Sequence, residues 1–188
     1  MEPIAELLER HLPAVRAYLR LRAGPVVAGR ESMSDLVQSV CREVIEGQER
    51  FQFQGEAAFR SWLFTTALRK ILEKDRYYRA DKRNVLREVR VADDSADEAR
   101  SVHDCYATFV TPSQDLAVRE QVAAVEHAFQ QLSEPHREVI SLVKVAGLSH
   151  EQVGAALGIS PEASRQLLHR AILRLAKLLK PEGGTAAP

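Results

Sequence analysis

Two clusters of side chains in this 188-residue chain could do chemistry on nucleic acid. In the first, Arg69, Lys70, Lys74 and Arg76 lead into Tyr77 and Tyr78, with Arg79, Lys82 and Arg83 beyond. Cations that neutralise phosphates, mixed with aromatic faces on which bases stack, suit capture of a strand. A charged helix end whose tyrosines lean over the edge of a core reads equally well from chemistry alone. In the second cluster Gln166, His169, Arg170 and Lys177 fall on one side of a helical pattern, with Arg165 at the border and Ser164, Leu168, Ala171 and Leu175 opposite. The major groove, about 12 Å wide, admits such a helix, and its base edges pair with Arg and Gln. The competing reading is an amphipathic hairpin with a solvated basic face.

The elements that position the second cluster are legible over residues 148–175. Ser149 followed by Gln152 has the form of a capping box, so a helix starts there. Val153, Ala156 and Leu157 supply its apolar stripe, and Gly158 stands where a left-handed residue ends it. Ile159 plugs the turn, Ser160 is the next N-cap, and Pro161 takes the first helical position, where its missing N–H costs nothing. Helix, short turn and helix with a basic outer face is the helix-turn-helix pattern.

The first cluster lies on the second half of a long helix predicted over residues 56–78, with Phe59, Leu63, Ala67 and Ile71 facing inward and Trp62 and Phe64 beside them. Ahead of it, Ile4, Leu8, Leu12, Val15 and Leu19 predict a helix that Pro13 kinks, and residues 23–33 form a loop. Ser34 caps a further helix with Leu36, Val37, Val40, Cys41 and Val44 as its apolar face, and Asp35, Gln38, Arg42 and Glu46 outside. Composition alone leaves that outer face merely solvated. Phe51 and Phe53 sit in a connection before Gly55. Residues 91–113, with five acids in the first fourteen and little apolar periodicity, read as a linker that Thr111, Pro112 and Ser113 close. Val118, Val122, Val125, Phe129 and Leu132 mark the next helix. Ser133 caps another, with Pro135 in its first turn, Val139, Ile140, Val143 and Ala146 as its stripe, and Gly147 as its end. The tail from 181 to 188 is rich in Gly, Ala and Pro and is expected to be disordered. The fold expected is all-α, two small helical domains joined by an acidic linker.

Lys and Arg total 26, as do Asp and Glu, so net charge gives no argument for nucleic acid and only its distribution does. Residues 69–90 hold nine Lys/Arg against four acids, and residues 160–180 five against one. The two cysteines, Cys41 and Cys105, have no metal-ligand spacing, and the six histidines are scattered. No glycine loop for nucleotides, HExxH or GxSxG is present, so no catalytic residue, metal or cofactor is expected. No apolar run approaches a membrane span, and the charged first ten residues lack a signal peptide's apolar stretch. The expectation is a cytoplasmic protein without membrane insertion.

Five motifs in order carry a resemblance over roughly residues 4–179: Asp35-Leu36-Val37-Gln38; Phe59-Arg60-Ser61-Trp62-Leu63 running into the basic helix; Leu132-Ser133 with Arg137-Glu138-Val139; Gly147-Leu148-Ser149 with Ala156-Leu157-Gly158-Ile159-Ser160; and Leu168-His169-Arg170-Ala171. Together they resemble the extracytoplasmic function sigma factors of bacterial RNA polymerase. The resemblance implies region 2 over residues 1–90, a flexible linker over 91–113, and region 4 over 114–180, with the intervening region 3 missing. It implies that Asp35, Leu36, Gln38 and Arg42 dock on the β′ coiled coil of core polymerase, with the β flap as a further contact. It implies that Arg69, Lys70, Lys74, Arg76, Tyr77 and Tyr78 hold flipped bases of the −10 promoter element, Trp62 packing in the core. Arg165, Gln166, His169, Arg170 and Lys177 would read the −35 element, and an anti-sigma factor would be a further partner.

The chain departs from the pattern where Ala163, Ser164, Arg165, Gln166 and Leu167 replace the family's common Thr, Val, Lys, Ser and Arg. Leu167 thereby loses a phosphate or base contact, and Arg69 stands where Asn is frequent; both bear on which promoter is read. A free-standing helix-turn-helix regulator is the alternative function, and a resolvase or nuclease a distant third.

Overall fold

The computed structural model of the chain describes residues 3–80, 95–110 and 117–179, and among these it contains helices and no strand. Helix α1 (Ile4–Arg22) runs on through Pro13, and Leu7, Leu8, Val15, Ala17, Tyr18, Leu19 and Leu21 are all buried. The first half keeps an exposed face with Glu6, Glu9 and Arg10, but residues 14–22 are buried or half-buried on every side and so must have neighbours on every side. Helices α3 (Met33–Gly47) and α4 (Glu56–Ala80) cover one flank of it, and a short α2 (Pro25–Ala28) packs on α4. The segment expected as a loop thus contains a helical turn, because Val27 is drawn fully into the core. The cap of α3 is Ser32 rather than Ser34: the Ser32 Oγ accepts the Asp35 N–H at 3.1 Å and donates to the Asp35 carboxylate at 2.7 Å.

The other flank of α1 is taken by the second half of the chain. Helix α5 (Ala96–Tyr106) packs on α1 and on α6 (Val118–Gln130), and α6 rests in turn on α9 (Pro161–Leu179). The expected linker over 91–113 therefore holds a helix, opened by a complete capping box between Ser95 and Glu98. Its apolar face is only Ala99, Val102 and Tyr106, three residues at spacings of three and four, too sparse to stand out among five acids. Residues 81–94, 111–116 and 180–188 lie outside the described residues, and with them Lys82, Arg83, the closing Thr111-Pro112-Ser113 and the tail.

Helix α7 (Glu134–Ile140) begins after Ser133 as expected, although the Ser133 side chain makes no capping bond. It continues as a wider π-helical turn over Ser141–Val145, where Ser141 Oγ donates to the Arg137 carbonyl at 2.8 Å. The extra residue in that turn shifts the stripe, so Leu142 and Val145 are buried while Val143 is only half-buried. Gly147 ends the segment at φ +65°.

Candidate nucleic-acid interface

The helix-turn-helix is built by α8 (His150–Leu157), Gly158 and α9. Ser149 Oγ accepts the Gln152 N–H at 3.3 Å, while Gln152 Oε1 accepts the Ser149 N–H at 2.9 Å. Gly158 adopts φ +67°, and the Ser160 Oγ accepts the Ala163 N–H at 3.1 Å to open α9. One residue of the expected stripe is corrected: Ala156 is exposed, and Gly154 is buried in its place. A Cβ on Gly154 would meet the Ile159 carbonyl oxygen at 2.7 Å, so the hairpin closes only around a bare α-carbon. Ser164, fully buried, ties the two helices through a 2.9 Å hydrogen bond with His150 Nδ1.

On α9 the residues assigned to the outer face are all exposed: Arg165, Gln166, His169, Arg170 and Lys177. Glu162 steadies the first two, accepting from Arg165 Nη1 at 3.2 Å and from Gln166 Nε2 at 3.4 Å. Arg170 Nε donates to the Gln166 carbonyl at 3.4 Å, leaving the rest of its guanidinium outward. Leu167 leans against the hydrophobic core. The basic residue common at that position is thus exchanged for packing.

The first cluster is divided by its surroundings. Arg69 and Lys70 both bind Glu43 of α3, at 2.5 and 2.6 Å. Partial burial alone would raise the Glu43 carboxyl, but the hydrogen bonds from Lys70 and Arg69 outweigh it and hold it below the ordinary carboxylate range. Lys74 is paired with Glu31, which also accepts the Tyr78 hydroxyl at 2.9 Å, while the Arg30 guanidinium lies 5.9 Å from the Tyr78 ring centre. Burial first, and then the Glu31 hydrogen bond, push the Tyr78 phenol up to about 12. Tyr78 is therefore fastened to the loop before α3, whereas Tyr77 beside it is 63% exposed. Arg76 is exposed next to it. Glu31, Glu43 and Arg30 have no signal in the sequence that marks them as partners of α4, since their pairing depends on how α3 and the loop before it cross that helix. Trp62 packs as expected, stacked on Phe51 with ring centres 4.4 Å apart and its edge 3.2 Å from the Gly47 Cβ position.

The outer face of α3 presents Asp35, Gln38 and Arg42 to solvent, while Leu36 is 1% exposed. Leu36 consequently belongs to the core and cannot reach a partner, because it sits one helical position from Asp35 on the inward side. Among the described residues no helix is long and apolar enough to cross a membrane.

Two family models match the chain: "Sigma-70 region 2" over residues 7–84 and "Sigma-70, region 4" over residues 128–177. The chain is similar to the RNA polymerase sigma factor CarQ of Myxococcus xanthus, 31% identical over 93% of this chain and 87% of that protein. It is also similar to the ECF RNA polymerase sigma factor SigD of Mycobacterium tuberculosis, 29% identical over 92% of this chain and 74% of that protein. Among solved structures, its fold is shared by the sigma factor RpoE in complex with the anti-sigma factor NepR from Bartonella quintana, with a TM-score of 0.62 and 24% identity over 96% of this chain and 98% of that one. CnrH in complex with the cytosolic domain of CnrY shares it too, with a TM-score of 0.58 and 22% identity over 95% of this chain and 88% of that one.

Proposed function

This chain belongs to the extracytoplasmic function sigma factors of bacterial RNA polymerase, and from that premise we propose how its surfaces divide the work. It binds core polymerase, brings it to particular promoters and helps open the −10 element. A free-standing regulator is disfavoured, because such a protein has no use for the first unit, which the region 2 model matches over residues 7–84.

Residues 1–90 form the polymerase- and −10-binding domain and residues 114–180 the −35-binding domain. The exposed face of α3, with Asp35, Gln38 and Arg42, docks on the β′ coiled coil, and region 4 meets the β flap. Arg69, Arg76 and Tyr77 contact the melted strand directly. Lys70, Lys74 and Tyr78, bound like Arg69 to Glu43 or Glu31 but less exposed than it, shape that surface from behind. Unstacking a base costs a few kcal/mol, and stacking on Tyr77 with phosphate contacts offsets it without ATP. Arg165, Gln166, His169, Arg170 and Lys177 read the −35 duplex. The protein works in the cytoplasm, where its polymerase is, and performs no covalent chemistry of its own. Because both solved neighbours are held by a partner named as an anti-sigma factor or a cytosolic domain, a protein inhibitor of that kind is proposed as a partner here.

The observation that carries this reading is the presence of two exposed cationic helix surfaces, on α4 and on α9, in separate units of one chain. Mixing the purified protein with core polymerase tests it. Co-elution and a promoter-dependent transcript are expected; absence of either overturns it.

A further inference from the structure

Ser164 lies on the inner face of α9 with Leu168, Ala171 and Leu175 and is 0% exposed, at a position where the family's common residue is Val. A hydroxyl shut away from water is unfavourable unless it is hydrogen-bonded. Its side-chain partner is His150 Nδ1 at 2.9 Å. His150 is the first residue of α8, so its half-buried ring bridges the start of one helix to the first turn of the other. The two nitrogens of an imidazole point away from each other, and a ring held to α9 through Nδ1 turns Nε2 away from that helix. The Nε2 atom has no partner among the described residues, and unlike Nε2 of His11 it is not shut off from solvent.

On the docking proposed for α9, that nitrogen stands beside the duplex. In a helix-turn-helix whose second helix lies in the major groove, the first helix crosses the sugar-phosphate backbone. Arg165 and Gln166, which follow Ser164 directly, are exposed on the reading face. With those two at base edges, the start of α8 lies at the rim of the groove. That rim already favours an anion: the carboxyl of the exposed Glu151 is held below the ordinary carboxylate range, first by its own backbone N–H, then by the Ser149 hydroxyl, and more weakly by Arg165 and His150. A phosphate contact carries no sequence information, but it fixes the register and orientation of the helix that does the reading.

We propose that His150 is a further phosphate contact of the −35 duplex, donating Nε2–H to a backbone oxygen, and that Ser164 is the positioning residue that holds its ring. A hydroxyl can donate or accept. When the ring is neutral, the Ser164 hydroxyl donates to Nδ1 and the ring proton sits on Nε2. When the ring is protonated, Nδ1–H donates to the Ser164 oxygen and Nε2–H remains. In both states the same hydrogen faces the phosphate. The pair thus couples the orientation of α9 to an anchor on α8, which a valine at residue 164 could not do. The proposal rests on the −35 reading of α9 and adds to it a contact from outside that helix.

The test uses holoenzyme reconstituted from the full chain and core polymerase, bound to promoter fragments in which one phosphate at a time along the −35 element is replaced by a neutral methylphosphonate. In the wild type, one replacement at the rim of the element should lower affinity about tenfold, the worth of one hydrogen bond to a charged group. In His150→Ala that replacement should cost nothing further, while the other sensitive phosphates keep their effect. Ser164→Val, which fills the seam with the family's residue, should retain the melting temperature and reduce the penalty at the same phosphate to about threefold, because the ring is present but no longer held. A His150→Ala holoenzyme with the wild-type pattern of sensitivity overturns the contact, since a residue that only supports the fold weakens binding alike whichever phosphate is replaced. The full wild-type penalty in Ser164→Val overturns the positioning role. If no phosphate of the −35 element matters in the wild type and Arg170→Ala leaves promoter binding unchanged, the −35 reading of α9 itself fails and the proposal falls with it, a result distinct from the other two.

Discussion

Tyr77 and Tyr78 are adjacent in sequence and opposite in situation. Their rings meet edge to face with centres 5.3 Å apart, but Tyr78 is held by Glu31 and covered by Arg30 while Tyr77 stands out in solvent. Only an aromatic face that is open can take a base. Tyr77→Ala should therefore lower open-complex formation by the loss of one stacking contact, about 1–3 kcal/mol or roughly 5- to 150-fold, with thermal stability unchanged. Tyr78→Phe should do the reverse: promoter opening falls little, and the melting temperature drops with the loss of a half-buried hydrogen bond, about 1 kcal/mol. The same variant has a signature in pH. With the phenol raised to about 12, its neutral form favours the folded state fully below the ordinary tyrosine value near 10, and that contribution is lost as pH rises through about 12. In a spectrophotometric titration of the folded protein, the component near 12 should disappear in Tyr78→Phe. A component that persists, or a Tyr77→Ala protein that melts promoters normally, would reverse the two assignments.

At the scale of elements, the helix-turn-helix depends on the bare α-carbon of Gly154. Alanine there would ordinarily help a helix interior by about 1 kcal/mol. Here its methyl would press on the Ile159 carbonyl, a backbone atom that cannot swing aside, so the hairpin must open or the turn must shift. Gly154→Ala is expected to destabilise the protein by about 1–3 kcal/mol and to weaken −35 duplex recognition, both read against melting temperature and binding of the isolated protein. This glycine also marks where the sequence stopped being legible. The capping box at Ser149 and Gln152, the left-handed Gly158 and Pro161 at the start of α9 are local signals, each set by residues within four positions, and each is found where the spacing puts it. The stripe that included Ala156 failed because an eight-residue helix has too few turns for periodicity to tell its inner face from its outer one. Helix α5 went unread for a related reason: its three buried residues acquire their meaning from α1, more than seventy positions away. The exposed outer face of α9 was legible from spacing, whereas the carboxylates that restrain Lys70 and Lys74 were not, since only the packing of α3 and the loop before it on α4 brings them there.

For the whole molecule, zero net charge is the sum of cationic surfaces and the acids that bind or separate them. On the proposed reading, attraction to DNA is thereby confined to places, the open end of α4 and the outer face of α9, rather than spread over the protein. The docking surface proposed for polymerase is a third place, the exposed polar face of α3. Because these surfaces lie on different helices, their losses should be separable. Arg170→Ala removes one exposed guanidinium from α9 and is expected to cost about 1–3 kcal/mol in recognition of the −35 element, while co-elution with core polymerase is retained. Asp35→Ala combined with Gln38→Ala should weaken polymerase binding and leave duplex binding by the isolated protein as it was. The effects should add in the triple variant, since distant sites without shared partners are independent to within about 0.5 kcal/mol. Equal losses in both assays from either set would mean that one surface serves both partners, and the separation of α3 from α9 in function would have to be abandoned.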